Sequence, residues 1–98
     1  MLTKINVIQS LQANRSLFAA LGVRDVGVFE SYARDEATIM SDIDILVDFY
    51  PEKENFDNLM AIYDLLEQMF KNQKIEVVTK NGLSPYIGPQ IPKEVHYV

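Results

Sequence analysis

Apolar residues early in the chain recur at Ile5, Ile8, Leu11, Leu17, Phe18 and Leu21, mostly three or four positions apart. That spacing puts them on one stripe of a helix over residues 3 to 21. Thr3 is placed to cap its start and Gly22 to end it in a left-handed conformation. The next apolar run, Val26, Val28 and Phe29 around Gly27, is too short for a helix and reads as a buried strand near residues 25–29. Residues 31–37 are mostly polar and predict one or two helical turns directly after that strand.

Residues 42–49 read DIDILVDF. The β-branched content predicts a strand, and its period of two sets Asp42, Asp44, Leu46 and Asp48 on one face and Ile43, Ile45, Val47 and Phe49 on the other. Both faces hold apolar side chains, so its middle should be covered on both sides. After a loop at 51–55, Phe56, Leu59, Met60, Tyr63, Leu66 and Phe70, broadened by Leu65 and Met69, predict a second core-facing helix to about residue 71. Asn72 and Gln73 mark its end. IEVVT at 75–79 is the third strand, and Asn81-Gly82 breaks it. The tail SPYIGPQIPKEVHYV has three prolines and a glycine, so turns near 83–86 and 89–95, packed by Ile87, Ile91, Val95 and Tyr97, are expected in place of a helix. The fold class is α+β, a small mixed sheet packed by two long helices.

Ninety-eight residues make one domain, residues 1–98, because two cores of half this size would not offset the entropy of ordering the chain. Nine basic against fourteen acidic residues give a net charge of -5, which disfavours nonspecific binding to nucleic acid. With no cysteine and one histidine, thiolate and multi-histidine metal sites are excluded, and a hard cation held by oxygen is the metal chemistry left. Lys4, Asn6, Gln9 and Gln12 interrupt the opening segment, and no apolar run approaches membrane-spanning length. A cytoplasmic location is expected.

Asp42 and Asp44, two apart on a strand, aim both carboxylates to one face with their origins roughly 6 to 7 Å apart. Close carboxylates repel one another unless a cation, hydrogen-bond donors or a proton compensates. Glu76 joins them if its strand lies beside theirs; read alone, it serves equally as an exposed strand residue or an ion-pair partner. A lone DxD pair carries little information by itself. Asp48 reads as an exposed strand end, Tyr32 as core packing ahead of a cover over a ligand opening, Ser41 as a cap on the turn before the acidic strand, and His96 as structural. Lys93 is a single charge that could meet an acidic partner, not a nucleic-acid footprint.

The stretch VGVFESYARDEATIMSDIDILVDF resembles the signature of minimal nucleotidyltransferases of the DNA polymerase beta superfamily: a strand, a GSxARG turn, a spacer and a strand beginning SDxD. With the KIEVVT strand and the tail, the resemblance reaches most of residues 23 to 98. It implies that Glu30 and Ser31 stand at the Gly-Ser pair that cradles nucleotide phosphates. Asp42 and Asp44 become the first two metal ligands and catalytic carboxylates, and Glu76 the third. Arg34 points toward the phosphates or forms a surface ion pair with Asp35, Glu36 or Asp42. The implied cofactor is Mg²⁺ or Mn²⁺, with ATP as co-substrate.

Three departures bear on activity. Glu30 replaces a glycine and adds negative charge at the implied phosphate site. Asp35 replaces the glycine after Arg34. Glu76 stands where the family usually has Asp, one methylene longer. The resemblance implies transfer of AMP to a protein hydroxyl, with a HEPN-family toxin as partner in a toxin-antitoxin pair. The alternative is a catalytically degenerate antitoxin or protein-binding module. A homodimer is compatible with the sequence but no residue pattern specifies one.

Overall fold

The computed structural model of the chain describes residues 2–30, 32–34, 36–38, 41–80 and 95–98. Its elements are helices α1 (Lys4–Ala13) and α2 (Arg15–Ala20), strands β1 (Val23–Phe29) and β2 (Ile43–Phe49), a 3-10 turn (Pro51–Lys53), helix α3 (Phe56–Met69), and strands β3 (Ile75–Thr79) and β4 (Val95–Tyr97). The strands form one sheet in the order β3-β2-β1-β4, with β2 and β3 parallel and the other pairs antiparallel. This is the expected small α+β fold with a mixed sheet packed by helices.

The first helix is two helices. Thr3 caps α1 reciprocally with Asn6, but the Asn14 side chain donates to the carbonyl of Ser10, 2.9 Å away, competing with the helical ladder there. The chain turns at Asn14, so the single stripe drawn over residues 3 to 21 does not hold. Val7, Leu11 and Phe18 are buried, while Ile5 and Leu17 are 64% and 49% exposed. On α3, Leu59, Ile62 and Leu66 face the core, whereas Phe56 and Met60, also placed in the stripe, are 69% and 43% exposed.

One face of the sheet meets the helices through Val26, Val28, Ile43, Ile45, Val47 and Val77. The alternate residues Phe29, Leu46 and Val78 form a smaller cluster with Val95. Strand period two therefore carries Asp44 and Glu76 to the face away from the helices.

Two glycines hold junctions. Gly22 has φ 83°, and a Cβ there would overlap the side chain of Lys53. A Cβ on Gly27 would fall 2.7 Å from Val95 Cγ1 and 2.9 Å from the His96 carbonyl oxygen. The missing side chain thus lets β4 dock on β1. Strand β4 is an addition to the three expected strands: Val95, assigned to a closing turn, pairs with Phe29. Of the turns expected near 83–86 and 89–95, residues 83–94, with Ile87, Ile91 and Lys93, lie outside the described residues. Among the described residues no helix is long and apolar enough to cross a membrane.

Candidate active site

β2 and β3 are parallel, and their register pairs Ile43 with Ile75 and Asp44 with Glu76. The start of β2 is tied to the loop before β3 by the Ile43 N–H, which donates to the Lys74 carbonyl at 2.9 Å. On the other side Asp44 pairs with Phe29, the last residue of β1, so the turn opening at Glu30 begins beside the same carboxylate. The segment entering β2 is pinned by Ser41, whose hydroxyl accepts from the Thr38 N–H at 2.9 Å while its own N–H donates to the Thr38 carbonyl at 3.0 Å. Ser41 is thus a turn cap, as its position before the strand suggested.

The Asp44 carboxyl is pushed up to about 6. Burial is the largest cause; the charges of Glu76, Glu30 and Asp42 follow, together with a hydrogen bond to Glu76. Asp44 and Glu76 are therefore brought together, and Glu30 and Asp42 lie near enough for their charge to be felt. Among the described residues, however, no three His, Asp or Glu side chains are grouped so as to hold a metal ion. Ser31 and Asp35 lie outside the described residues.

Glu30 occupies the left-handed region at φ 59°, where a side chain costs roughly 1–2 kcal/mol and glycine almost nothing. The backbone here has the conformation a glycine would serve. Its carbonyl accepts from the Arg34 N–H at 3.1 Å. The Arg34 guanidinium lies 3.6 Å from Glu30 and 3.2 Å from Glu36. Of the alternatives weighed for Arg34, the ion pair to Glu36 is present, and Glu30 is a partner the sequence reading had not named. Tyr32 is buried in the main core, and burial raises its phenol.

Asp48 is not an exposed strand end; it is 3% exposed. Arg24 lies 2.6 Å from its carboxylate and Lys80 3.9 Å, while Arg24 also approaches Asp25 at 3.5 Å. The β1 register shifts between Val23 and Asp25, which sets Arg24 outside the regular alternation. Sequence reasoning missed this pair. Its signal was an acid inside an apolar strand, which requires a cation.

The hard-cation fit follows from the donor set. Asp44 and Glu76 present carboxylate oxygens, and their neighbours leave an excess of negative charge that a divalent cation would neutralise.

The family model for the nucleotidyltransferase domain matches residues 7–97. The chain belongs to this family, as a minimal polymerase-beta-like nucleotidyltransferase domain. It is similar to the protein adenylyltransferase MntA of Thermococcus cleftensis, 37% identical over 101 residues that cover 100% of this chain and 98% of the relative. Two candidate protein adenylyltransferases of Methanocaldococcus jannaschii are 35% and 38% identical over 77 residues, each alignment covering 78% of this chain and 76% of the relative. No solved structure matches the chain.

Proposed function

We propose that this protein transfers AMP from ATP to a hydroxyl group on a partner protein, a HEPN-type toxin being the partner its resemblance implies. The observation that carries the reading is the parallel β2–β3 register that sets Asp44 against Glu76 beside the Glu30 turn. Its kinship with protein adenylyltransferases supports the choice of a protein acceptor.

In this reading Asp42, Asp44 and Glu76 hold the divalent cation, Mg²⁺ or Mn²⁺. When bound, the cation neutralises triphosphate charge and favours ionisation of the acceptor hydroxyl. Ser31 and the amides of the turn after Glu30 position the phosphates, with Arg34 available to them on release from Glu36. Glu76 orients the acceptor hydroxyl and takes its proton. The acceptor oxygen bonds to the α phosphorus, the bond to the bridging oxygen breaks, and pyrophosphate leaves. A reaction supplied by ATP suits a cytoplasmic protein.

A second reading has its own support. Glu30 places a carboxylate where a glycine-like backbone would otherwise admit phosphate, and the described carboxylates do not gather as three. A degenerate domain that binds its partner without nucleotide turnover would have both features.

Incubation with each NTP, Mg²⁺ or Mn²⁺ and the HEPN partner, followed by intact-protein mass analysis, separates the two. Transfer gives a partner adduct of one adenylyl group that disappears when Asp42 and Asp44 are both changed to Asn. Stable association with no adduct under any nucleotide or metal supports the degenerate module.

A further inference from the structure

Beside the Glu30 turn lies a cavity of about 240 Å³ whose described lining is Lys4 of α1, Ala33, and Val95 and His96 of β4. Sites that take a whole small molecule run from roughly 300 to 1,000 Å³, so this one is of a size for a single substituent of a ligand. Its place in the fold follows from the strand register. Phe29 pairs with Asp44 on one side and with Val95 on the other, which sets Asp44 and Val95 two strand spacings apart, roughly 10 Å. The turn that starts at Glu30 leads from Phe29, the neighbour of the carboxylates, to the cavity wall at Ala33.

The cavity is basic where the neighbouring site is acidic. The charges of Glu76, Glu30 and Asp42 act on Asp44, whereas the described cavity wall presents a lysine and a histidine and no acid. No side-chain hydrogen bond or ion pair to another described residue occupies either group. Lys4 is also the first residue of α1, a helix with no acid in its first turn. A cation at that end opposes the helix dipole. Where a side chain breaks the local preference for stability, a contact outside the helix is the expected compensation.

The turn's own cation is engaged: Arg34 lies 3.2 Å from Glu36 and 3.6 Å from Glu30. An anion held at this turn, on a chain of net charge -5, therefore needs cations from outside it. We propose that Lys4 and His96 form a subsite for the outermost phosphate of the nucleotide, the ammonium and an imidazole N–H donating to its oxygens. This deepens the proposed function and rests on it for the identity of the anion. With the α phosphorus at Asp44 and Glu76 and the phosphates running along the Glu30 turn, the far end of the triphosphate falls on the β4 side of the sheet, where the cavity lies.

The probes are inorganic tripolyphosphate, ATP, AMP and glutarate, each titrated with Mg²⁺ into the full isotope-labelled chain and followed by amide and imidazole shifts. Tripolyphosphate and ATP should move Lys4, Ala33 and His96; AMP and the dicarboxylate should not. Lys4→Glu separates binding from folding, because an acid at the start of α1 suits the helix dipole. Its Tm should equal or exceed that of wild type while tripolyphosphate affinity falls about tenfold. His96→Gln, at an exposed side chain, should lower that affinity about threefold with β4 still paired. Unmoved resonances at the three residues, equal shifts with glutarate, or unchanged tripolyphosphate affinity in both variants would overturn the subsite. So would a Lys4→Glu chain that loses Tm and affinity together, which would make Lys4 a structural residue. Tripolyphosphate bound at these residues with no AMP transfer would sink the proposed reaction and leave the subsite standing. Transfer with the KM for ATP untouched by either variant would do the reverse.

Discussion

Asp44 and Glu76 stand opposite one another across a parallel strand pair, on the sheet face away from the helices. Burial, and after it the charges of Glu76, Glu30 and Asp42, raise the Asp44 carboxyl from 3.8 to about 6. Between those values the native chain binds more protons at this position than the unfolded chain. The Asp44 contribution therefore favours folding most at the acid end and is lost as pH rises through about 6. Thermal unfolding without metal should show this falling component in the wild type and not in Asp44→Asn, and Mg²⁺ should offset the loss at neutral pH. The partial exposure of Asp44 keeps the effect small through solvent screening. A pH profile identical in the two proteins would contradict this account.

Glu30 holds a conformation suited to glycine, so Glu30→Gly removes backbone strain at the cost of greater freedom in the unfolded chain. The exposed pair with Arg34 at 3.6 Å contributes little. The variant should be between neutral and about 1 kcal/mol more stable by chemical denaturation. Its ATP affinity should rise, since a negative charge leaves the phosphate turn; unchanged affinity would remove the proposed obstruction. Glu30→Val, branched at Cβ, should destabilise the fold by about 1–3 kcal/mol.

Gly27 lets β4 approach β1, and a methyl group there meets the Val95 side chain and the His96 backbone. Gly27→Ala should cost about 1–3 kcal/mol and selectively weaken hydrogen-exchange protection in residues 95–97. Uniform loss of protection across β1 and β2 would show that the strand junction is not the weak point.

Arg24 satisfies the buried Asp48 carboxylate at 2.6 Å, with Lys80 too far at 3.9 Å to replace it fully. Arg24→Met should lower Tm more than Asp48→Asn does, because it strands a charge that the second change removes. Metal and ATP binding should be preserved in both, since the pair is four residues along β2 from Asp44. Equal Tm values in the two variants would place the stabilisation elsewhere.

These residues also mark what was legible in the chain. The alternation in DIDILVDF and the apolar spacing of α3 reveal β2, α3 and the face that Asp44 occupies, because period is a local property. The juxtaposition with Glu76 depended on a parallel crossover, which periodicity alone does not specify; the family resemblance supplied it. The break at Asn14 was obscured because apolar residues continue in phase past it, although two of them, Ile5 and Leu17, stay exposed. Asp48 was misread because its partner sits beside a register shift that hydrophobic pattern cannot encode. Strand β4 is three residues long and follows a proline-rich stretch, so its pairing is decided by Gly27 across the sheet.

The account depends on Asp44 and Glu76 jointly holding a cation-bound triphosphate, and calorimetric titration of Mn²⁺-ATP tests it most directly. Wild-type protein should bind, and Asp44→Asn combined with Glu76→Gln should lose at least about tenfold in affinity while remaining folded. Binding of equal strength in the double variant would contradict the claim.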